Sequence, residues 1–427
     1  MNKKGIYIHI PFCVRKCNYC AFLSCVADEA PREEYSQALI KEIKLRAKAM
    51  AEEAEQRGED PAEALKIDTV YVGGGTLSVL DVSQMREIMH TVNKCFIVKD
   101  GAEVTIEANP ATLGRKDGVM LAKLQAYKFI GFNRLSMGVQ SMDNDRLHFL
   151  GRIHTPLNVE RDMDLIRRKG FYNVNLDLMF SVPGQTTEDA LADVEHILSF
   201  EPEHISCYSL QIEEGTPFAS MIDSGEMTEV PDEEDRATYH KICERLKEAG
   251  YEHYEISNFA KPGYRSQHNS LYWNMDDYIG FGLGASGFLG GVRYKNTENF
   301  DEYFKAADEG RLPVADEHVN SAFDNISEAV FTGLRRIEGI SYKDAIEAYL
   351  RADDADESIA ARFANLSSDP AAPSNDAASE AFWEIFKESK AEAVDYAARG
   401  LLIIDNDGLK LTELGIDISN SIMSLFV

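Results

Sequence analysis

Short runs of β-branched and apolar residues alternate with helical patterns through the first half of the chain, and this alternation limits the possible fold more than any other feature. The runs predict six strands, at Ile6–Ile10, Thr69–Val72, Val104–Ile106, Arg134–Val139, Val174–Phe180 and His204–Leu210. Helical patterns between them include Arg32–Arg57, Ser83–Cys95 and Thr187–Ser199. Because parallel strands need crossover helices and crossovers are right-handed, such units curl into an incomplete (β/α)6 barrel of the α/β class. Reactive groups in these barrels sit at the carboxyl ends of the strands.

Three regions are expected along the chain. Residues 1–212 form the partial barrel, residues 213–320 a connecting region, and residues 321–427 a mainly helical C-terminal domain. In the connecting region we expect a helix at Asp232–Gly250, a strand at Tyr251–Ile256 and a glycine-rich loop region. Residues 351–378 are rich in Ala, Asp, Ser and Pro, which predicts a mobile surface insertion. Residues 400–412 predict a small hairpin.

Composition narrows the class of protein. The chain carries 44 Lys and Arg against 72 Asp and Glu, a formal charge of −28, so nucleic acid and anionic lipid are repelled on average. No apolar run is long enough to span a membrane and no signal peptide is evident. The cysteines number seven, and three of them fall within eight residues, which favours a reducing compartment and a metal site over disulfides. We therefore expect a cytoplasmic protein.

Cys13, Cys17 and Cys20 follow the first predicted strand in a C-x₃-C-x₂-C spacing. Soft thiolates select zinc or iron–sulfur clusters, but structural zinc and ferredoxin clusters take four protein ligands. Three cysteines leave one iron of a [4Fe–4S] cluster open, and S-adenosylmethionine (SAM) can chelate that iron and be cleaved by an electron from the cluster. Cys25 is the alternative fourth thiolate of a zinc site or a closed cluster. Tyr19 is placed either to pack on adenine or simply to fill space.

Further candidate residues stand at the ends of the later strands. In Gly73-Gly74-Gly75-Thr76 the backbone can approach a ligand and present N–H groups to it. Glu107 could bind the SAM ammonium or a ribose hydroxyl, or be an ordinary surface carboxylate. A carboxylate within an apolar run is costly unless paired, so we expect Asp177 to meet a buried donor, a ribose hydroxyl or Arg152. Gln140 ends the fourth strand.

These motifs resemble those of the coproporphyrinogen-dehydrogenase-like radical SAM family (HemN/HemW), and within it the HemW-type heme chaperones. The likeness covers most of residues 1–310 and is carried by Tyr7–Cys13, Gly73–Ser78, Glu107–Pro110, Asn133–His154, Asn175–Thr186 and His253–Trp273. The resemblance implies cluster ligation by Cys13, Cys17 and Cys20. It also implies SAM contacts from Tyr7, Tyr19, Gly74, Gly75, Thr76, Glu107, Gln140, Arg152 and Asp177.

Three features favour the chaperone branch over the oxygen-independent oxidase. Phe22 stands where the oxidase has a fourth cysteine, and the cysteines begin at residue 13, without the oxidase's leader. His268-Asn-Ser-Leu-Tyr-Trp273 matches the H-N-x-x-Y-W signature associated with heme handling, and a neutral His268 imidazole can ligate heme iron. The implied partners are heme and an acceptor protein. Ser286 departs from the family pattern, which has a histidine there.

Two other functions remain open from the sequence. A porphyrinogen oxidase or a radical methylase could use Arg134, Arg265 or Arg293 to clamp substrate carboxylates, although these arginines could equally be surface residues. A purely structural zinc or iron–sulfur protein would have no affinity for SAM.

Overall fold

The computed structural model describes residues 3–26, 31–76, 79–114, 116–367 and 374–427. The strands are β1 Lys4–Ile10, β2 Phe12–Cys13, β3 Cys25–Val26, β4 Lys66–Gly74, β5 Ile97–Ala108, β6 Arg134–Gln140, β7 Val174–Phe180, β8 His204–Ser209, β9 Glu252–Glu255, β10 Asn258–Ala260, β11 Asp277–Phe281, β12 Ser286–Leu289, β13 Val292–Asn296, β14 Val314–Val319, β15 Ile340–Ser341, β16 Leu402–Ile404 and β17 Gly408–Leu411. All six strands predicted from the apolar runs are confirmed.

The helices separate and cover these strands. They are α1 Arg32–Gln56, α2 Pro61–Ala64, α3 Val82–Cys95, α4 Asp117–Ile130, α5 Asn144–Phe149, α6 Pro156–Arg168, α7 Thr187–Leu198, α8 Pro217–Asp223, α9 Asp232–Glu248, α10 Gln267–Trp273, α11 Phe300–Glu309, α12 Ala322–Gly333, α13 Tyr342–Tyr349, α14 Glu357–Ser367, α15 Ser374–Ile385, α16 Lys390–Ala398, α17 Glu413–Ile416 and α18 Ser419–Met423. Among the described residues, no helix is long and apolar enough to cross a membrane.

The main sheet has the order β14-β13-β12-β11-β1-β4-β5-β6-β7-β8-β10-β9. Its central strands, β1 and β4 to β8, are parallel neighbours in chain order. Burial on both faces explains the apolar runs of these strands: the successive residues Leu178, Met179 and Phe180 of β7, which point to alternate faces, are 2, 4 and 2% exposed. The incomplete α/β barrel is therefore confirmed, and its strand carboxyl ends converge at one edge.

The connecting region differs from the expectation of a glycine-rich loop region. The predicted helix and strand are present as α9 and β9, but residues 277–319 form four further strands of the main sheet. Among these, β11 lies parallel to β1, with Ile6 opposite Ile279. The sheet thus continues beyond the first predicted strand. The boundaries at residues 212 and 320 remain predictions.

The C-terminal region is mainly helical, as predicted, and includes a small sheet of order β15-β17-β16. The predicted hairpin is present, because β16 and β17 are antiparallel, with Ile404 opposite Leu409. Part of the predicted insertion at 351–378, residues 368–373, lies outside the described residues, and its mobility remains a prediction. Helices α14 and α15 flank those residues.

Candidate cofactor site at the strand carboxyl ends

One cavity, of about 230 Å³, opens at the carboxyl ends of the central strands. The sequence-predicted residues that line it are Tyr7, Cys13, Cys17, Tyr19, Cys20, Gly74, Gly75, Thr76, Glu107, Gln140, Arg152 and Asp177. The fold thus brings together every predicted cluster ligand and SAM contact, from segments up to 170 residues apart (Tyr7 to Asp177). His268 does not line this cavity.

The cysteine loop is held from both sides by Asn18. Its backbone N–H donates to the Leu150 carbonyl at 3.1 Å, and its side-chain Nδ2 donates to the Phe149 carbonyl at 2.8 Å. The Phe218 N–H in turn donates to the Asn18 carbonyl at 3.2 Å. These backbone contacts fix the loop before any ligand is bound, which is the preorganisation that a cofactor site needs.

Cys25 is set apart from the other three cysteines of this segment. It belongs to β3, where its N–H donates to the Pro11 carbonyl at 2.8 Å and its thiol donates to the same carbonyl at 3.5 Å. Cys13, Cys17 and Cys20 line the cavity, and Cys25 does not. Among the described residues, no group of three His, Cys, Asp or Glu side chains is arranged to hold a metal ion.

The glycine turn after β4 donates its N–H groups within the chain. The N–H groups of Gly74, Gly75 and Thr76 donate to Glu107 Oε2, the Ile10 carbonyl and the Phe12 carbonyl at 2.9, 2.8 and 2.6 Å. A Cβ atom on Gly75 would lie 2.3 Å from the Phe12 carbonyl oxygen, so glycine is required here by the close passage of the cysteine segment. These N–H groups thus have partners within the chain, while Gly74, Gly75 and Thr76 line the cavity, and their contact with SAM stays a prediction.

Glu107, at the end of β5, presents a carboxylate to the cavity in a fixed orientation. Its Oε1 accepts the Tyr71 hydroxyl proton at 2.7 Å, and its Oε2 accepts the Gly74 N–H. Burial raises the pKa of Glu107, whereas the bonds from Tyr71 and Gly74 oppose that rise. A buried carboxylate with remaining lone pairs is a strong acceptor for an ammonium or hydroxyl group. The alternative of a surface carboxylate is wrong.

Arg152 and Asp177 lie in the same cavity without forming the expected direct ion pair among the described residues. Arg152 Nη2 donates to Asn109 Oδ1 at 2.5 Å and to the Gly138 carbonyl at 2.6 Å, and its Nη1 donates to Cys17 Sγ at 3.5 Å. Asp177 accepts from Asn175 Nδ2 at 2.6 Å, and burial raises its pKa. Arg152 therefore sets a positive charge beside a cysteine sulfur.

Gln140, Tyr7 and Tyr19 complete the predicted lining. Gln140 has a φ of +69°, which costs a non-glycine residue about 1–3 kcal/mol and clusters at functional sites; its Oε1 accepts from the Tyr208 hydroxyl at 3.1 Å. The Tyr7 hydroxyl is hydrogen-bonded to His9 Nδ1 at 2.9 Å. Tyr19 packs against the apolar cluster around Leu150, so its space-filling role is present in the structure.

His268 lies on α10, is buried and does not line the cavity. Its Nδ1 and Nε2 are hydrogen-bonded to the Thr69 hydroxyl at 2.8 Å and the Tyr272 hydroxyl at 2.9 Å. Its ring stacks on that of Tyr71, with centroids 5.2 Å apart. Burial, followed by the charge of Arg134, lowers the pKa of His268 to about 3. The imidazole is therefore neutral, but both nitrogens are already engaged.

The three arginines considered for a substrate clamp are engaged elsewhere. Arg134 is only 2% exposed and pairs with buried Glu103 at 3.8 Å, so the surface reading is wrong for it. Arg265 pairs with Glu252 and Glu338, each at 3.1 Å. Arg293 pairs with Glu328. None of the three arginines lines the cavity.

Sequence reasoning did not select four polar residues of the site, namely His9, Asn109 and Tyr208, which line the cavity, and Tyr71, which holds Glu107. Each of the four residues follows or lies within a predicted strand. Its position near a strand end was the sequence feature that could have identified it as part of the site. Polar side chains near strand ends in a chain of this kind therefore deserve more weight than their residue type alone suggests.

Comparison with known proteins agrees with this geometry. Residues 7–197 match the Radical SAM superfamily. The chain is 36% identical over 352 residues, covering 82% of it and 88% of the relative, to the "Heme chaperone HemW" of Bacillus subtilis (strain 168). It is 36% identical over 336 residues, covering 78% of it and 82% of the relative, to that of Lactococcus lactis.

A solved structure shows the same fold. The coproporphyrinogen III oxidase HemN from Escherichia coli, described as a radical SAM enzyme, superimposes with a TM-score of 0.77 at 21% identity, covering 100% of this chain and 90% of that one. The identity to the curated relatives, extending well beyond the barrel, is what distinguishes the branch. The chain belongs to the HemW family of the radical SAM superfamily.

Proposed function

We propose that this protein is a heme chaperone, which binds heme and passes it to an acceptor protein while carrying a [4Fe–4S] cluster and exchangeable SAM. The observation that carries the proposal is the match at 36% identity over most of the chain to proteins named heme chaperone HemW. The cavity lined by three cysteines and by the residues predicted to hold SAM supports the cofactor part.

The chain's own residues suit the two cofactors. Cys13, Cys17 and Cys20 would bind three irons of the cluster, and the bound cluster and SAM would supply one-electron chemistry. Glu107 would accept hydrogen bonds from the amino group or a hydroxyl of SAM, because its carboxylate is held by Tyr71 and Gly74. Arg152 would stabilise negative charge on Cys17, since its Nη1 already donates to that sulfur.

Heme ligation by His268 remains a prediction. The burial of the side chain and its hydrogen bonds indicate what must move and which nitrogen would bind iron. The side chain is 1% exposed, so reaching heme iron requires the short helix α10 to shift. The Nε2 atom is bonded to Tyr272, which is partly exposed, whereas Nδ1 is bonded to buried Thr69. Nε2 is therefore the nitrogen that would be released for iron. Ser286, the departure from the family pattern, is exposed on β12.

Transfer of heme to an acceptor, in the cytoplasm, completes the proposal. The enzyme alternative receives no support from the clamp arginines, since Arg134, Arg265 and Arg293 are all paired with carboxylates of this chain. The fold shared with HemN does not by itself decide between the two functions.

The test is an anaerobic heme titration of the cluster-reconstituted protein, followed by absorbance, alongside incubation with SAM, a reductant and coproporphyrinogen III. A saturable one-to-one absorbance change without protoporphyrinogen formation is expected. Absence of heme binding, or formation of protoporphyrinogen, would contradict the proposal. For the ligand, His268→Ala should weaken heme binding, and Tyr272→Phe should strengthen it by removing the competing hydrogen bond. If the unmodified protein, His268→Ala and Tyr272→Phe all bind heme equally, His268 is not a heme ligand.

A further inference from the structure

A mixed apolar and basic surface surrounds the mouth of the cofactor cavity. Val14, Phe22 and Ile153 are 48, 73 and 49% exposed, and Arg15 and Lys16 are exposed beside them on the cysteine loop. All five residues line the opening of the cavity. We refer to these five residues as the cluster rim.

The apolar part of the cluster rim is costly to leave in water. Phe22 is a whole aromatic ring exposed two residues after the last cluster cysteine, where packing against the loop gives it little cover. Contiguous exposed apolar residues beside a cleft mark ligand or partner sites more often than chance exposure does. The cluster rim therefore places three exposed apolar side chains at the entrance to the site.

The charge of the cluster rim contrasts with that of the whole chain. The protein has a formal charge of −28, yet Arg15 and Lys16 stand together at this opening. Arg146 of the same barrel pairs with carboxylates, but neither Arg15 nor Lys16 forms a salt bridge with any carboxylate in the described part of the chain. Unpaired cations beside an apolar face favour a ligand that is itself flat, apolar and anionic at one edge.

The cofactors expected in the cavity place a large ligand outside it. The cavity, of about 230 Å³, is lined by the residues predicted to hold the cluster and SAM, so these two cofactors would take up its space. With SAM inside, a porphyrin macrocycle has no room at the strand ends. Such a macrocycle would lie across the mouth and contact the residues that border it.

We propose that the cluster rim is the surface on which heme docks, with the macrocycle on Val14, Phe22 and Ile153 and the two propionates beside Arg15 and Lys16. This inference rests on the proposed function, since it presupposes that the chain binds heme. It places heme across the opening that leads to the cluster and SAM. His268 is 1% exposed and does not line the cavity, so a heme seated on the rim would not be ligated by His268, and the two positions are alternatives for the single heme.

The test uses cluster-reconstituted full-length protein and compares heme affinities by absorbance titration. Phe22→Ser should weaken heme binding about tenfold, because it removes the burial of one aromatic side chain. The double variant Arg15→Ala/Lys16→Ala should weaken it about three- to tenfold, as expected for two partly solvated charge pairs. The matched control is Phe129→Ser, on α4, where the phenylalanine is 84% exposed and lies outside the cavity lining; it should bind heme normally.

Heme dimethyl ester separates the two parts of the surface. It lacks the propionate charges, so the Arg15→Ala/Lys16→Ala variant should bind it as the unmodified protein does, whereas Phe22→Ser should bind it more weakly. Iron content and SAM affinity, measured in the same preparations, should be unchanged in every variant, which shows that the loop is intact.

The outcomes distinguish this inference from the proposed function. If the unmodified protein does not bind heme, the proposed function fails. If it binds heme and both rim variants bind it equally well, the proposed function stands and the docking surface is wrong. If the rim variants instead slow reduction of the cluster by an acidic electron-carrier protein and leave heme affinity unchanged, the rim serves that partner, and the inference is overturned.

Discussion

Tyr71 joins two parts of the molecule through one side chain: its hydroxyl donates to Glu107 at 2.7 Å, and its ring stacks on His268 with centroids 5.2 Å apart. Glu107 faces the cofactor cavity, whereas His268 belongs to α10 of the H-N-x-x-Y-W segment. The helix is also tied to the barrel by Glu103, which accepts from the Gln267 and His268 N–H groups, each at 3.1 Å. A displacement of α10 would therefore shift Tyr71 and change the hydrogen bond that orients the Glu107 carboxylate.

The first prediction concerns the affinity for SAM. Glu107→Gln removes a charged acceptor and should weaken SAM binding about ten- to a hundredfold, whereas Tyr71→Phe removes one neutral bond to that acceptor and should weaken it about fivefold. Calorimetric titration of the reconstituted protein measures both effects. Tyr172→Phe, at an exposed position outside the cavity, is the control. Unaltered affinity in Glu107→Gln would remove the carboxylate from the SAM site.

A second prediction concerns stability in acid. Burial, followed by the charge of Arg152, lowers the pKa of His154 to about 3, below its unfolded value of 6.5. Between about pH 3 and pH 6.5 the imidazole is protonated in the unfolded chain but neutral in the folded chain. The free energy of unfolding therefore rises with pH and falls as the pH falls. From pH 7 to pH 5 this one group should cost about 2 kcal/mol. Denaturant unfolding of His154→Gln should show that much less acid destabilisation than the unmodified protein; an identical pH dependence would be inconsistent with a buried neutral imidazole.

The third prediction concerns the buried cation of the barrel interior. Arg134 and Glu103 are 2 and 3% exposed at their side chains, and the Arg134 Nε atom has no hydrogen-bond partner among the residues that the structure describes. Because removing one partner leaves an uncompensated buried charge, Arg134→Met should destabilise the fold by about 3 kcal/mol. In a double-mutant cycle, Arg134→Met/Glu103→Gln should be more stable than the sum of the single changes predicts. Strict additivity would show that the two charges do not interact.

A fourth prediction separates the cysteines. We expect the single variants Cys13→Ala, Cys17→Ala and Cys20→Ala each to lose the cluster on anaerobic reconstitution. Each substitution would leave two irons of the cluster without a protein ligand, instead of one. Cys25→Ser should keep about four irons per chain, since Cys25 does not line the cavity. Iron and sulfide analysis measures this. Loss of iron in Cys25→Ser would instead favour a centre closed by four thiolates.

Local patterns explain why the central sheet could be predicted. The run Val174–Phe180 is a strand with the predicted bounds, because its apolar residues are buried on both faces of the sheet, although Asn175 and Asp177 interrupt the run. β11 was missed because its pairing with β1 joins residues more than 270 positions apart, such as Ile6 and Ile279. The local pattern of apolar and polar residues does not indicate a pairing between segments so far apart in the sequence.

The site was predictable to the level of residues but not of their contacts. The strand-end rule predicted that Cys13, Cys17, Cys20 and the SAM candidates would share one cavity, because parallel strands share one carboxyl edge. The hydrogen bond from the Gly75 N–H to the Ile10 carbonyl forms because the glycine turn and the cysteine segment pass close to each other. The sequence alone does not predict that distance. The burial of Arg134 was likewise decided by its partner Glu103 on the neighbouring strand.

The most direct test of the account is electron paramagnetic resonance of the reduced, reconstituted protein with and without SAM. An iron open to SAM predicts a [4Fe–4S] signal that changes shape on addition of SAM, in the unmodified protein and equally in Cys25→Ser. A signal indifferent to SAM, or a preparation that binds zinc in place of the cluster, would contradict the account.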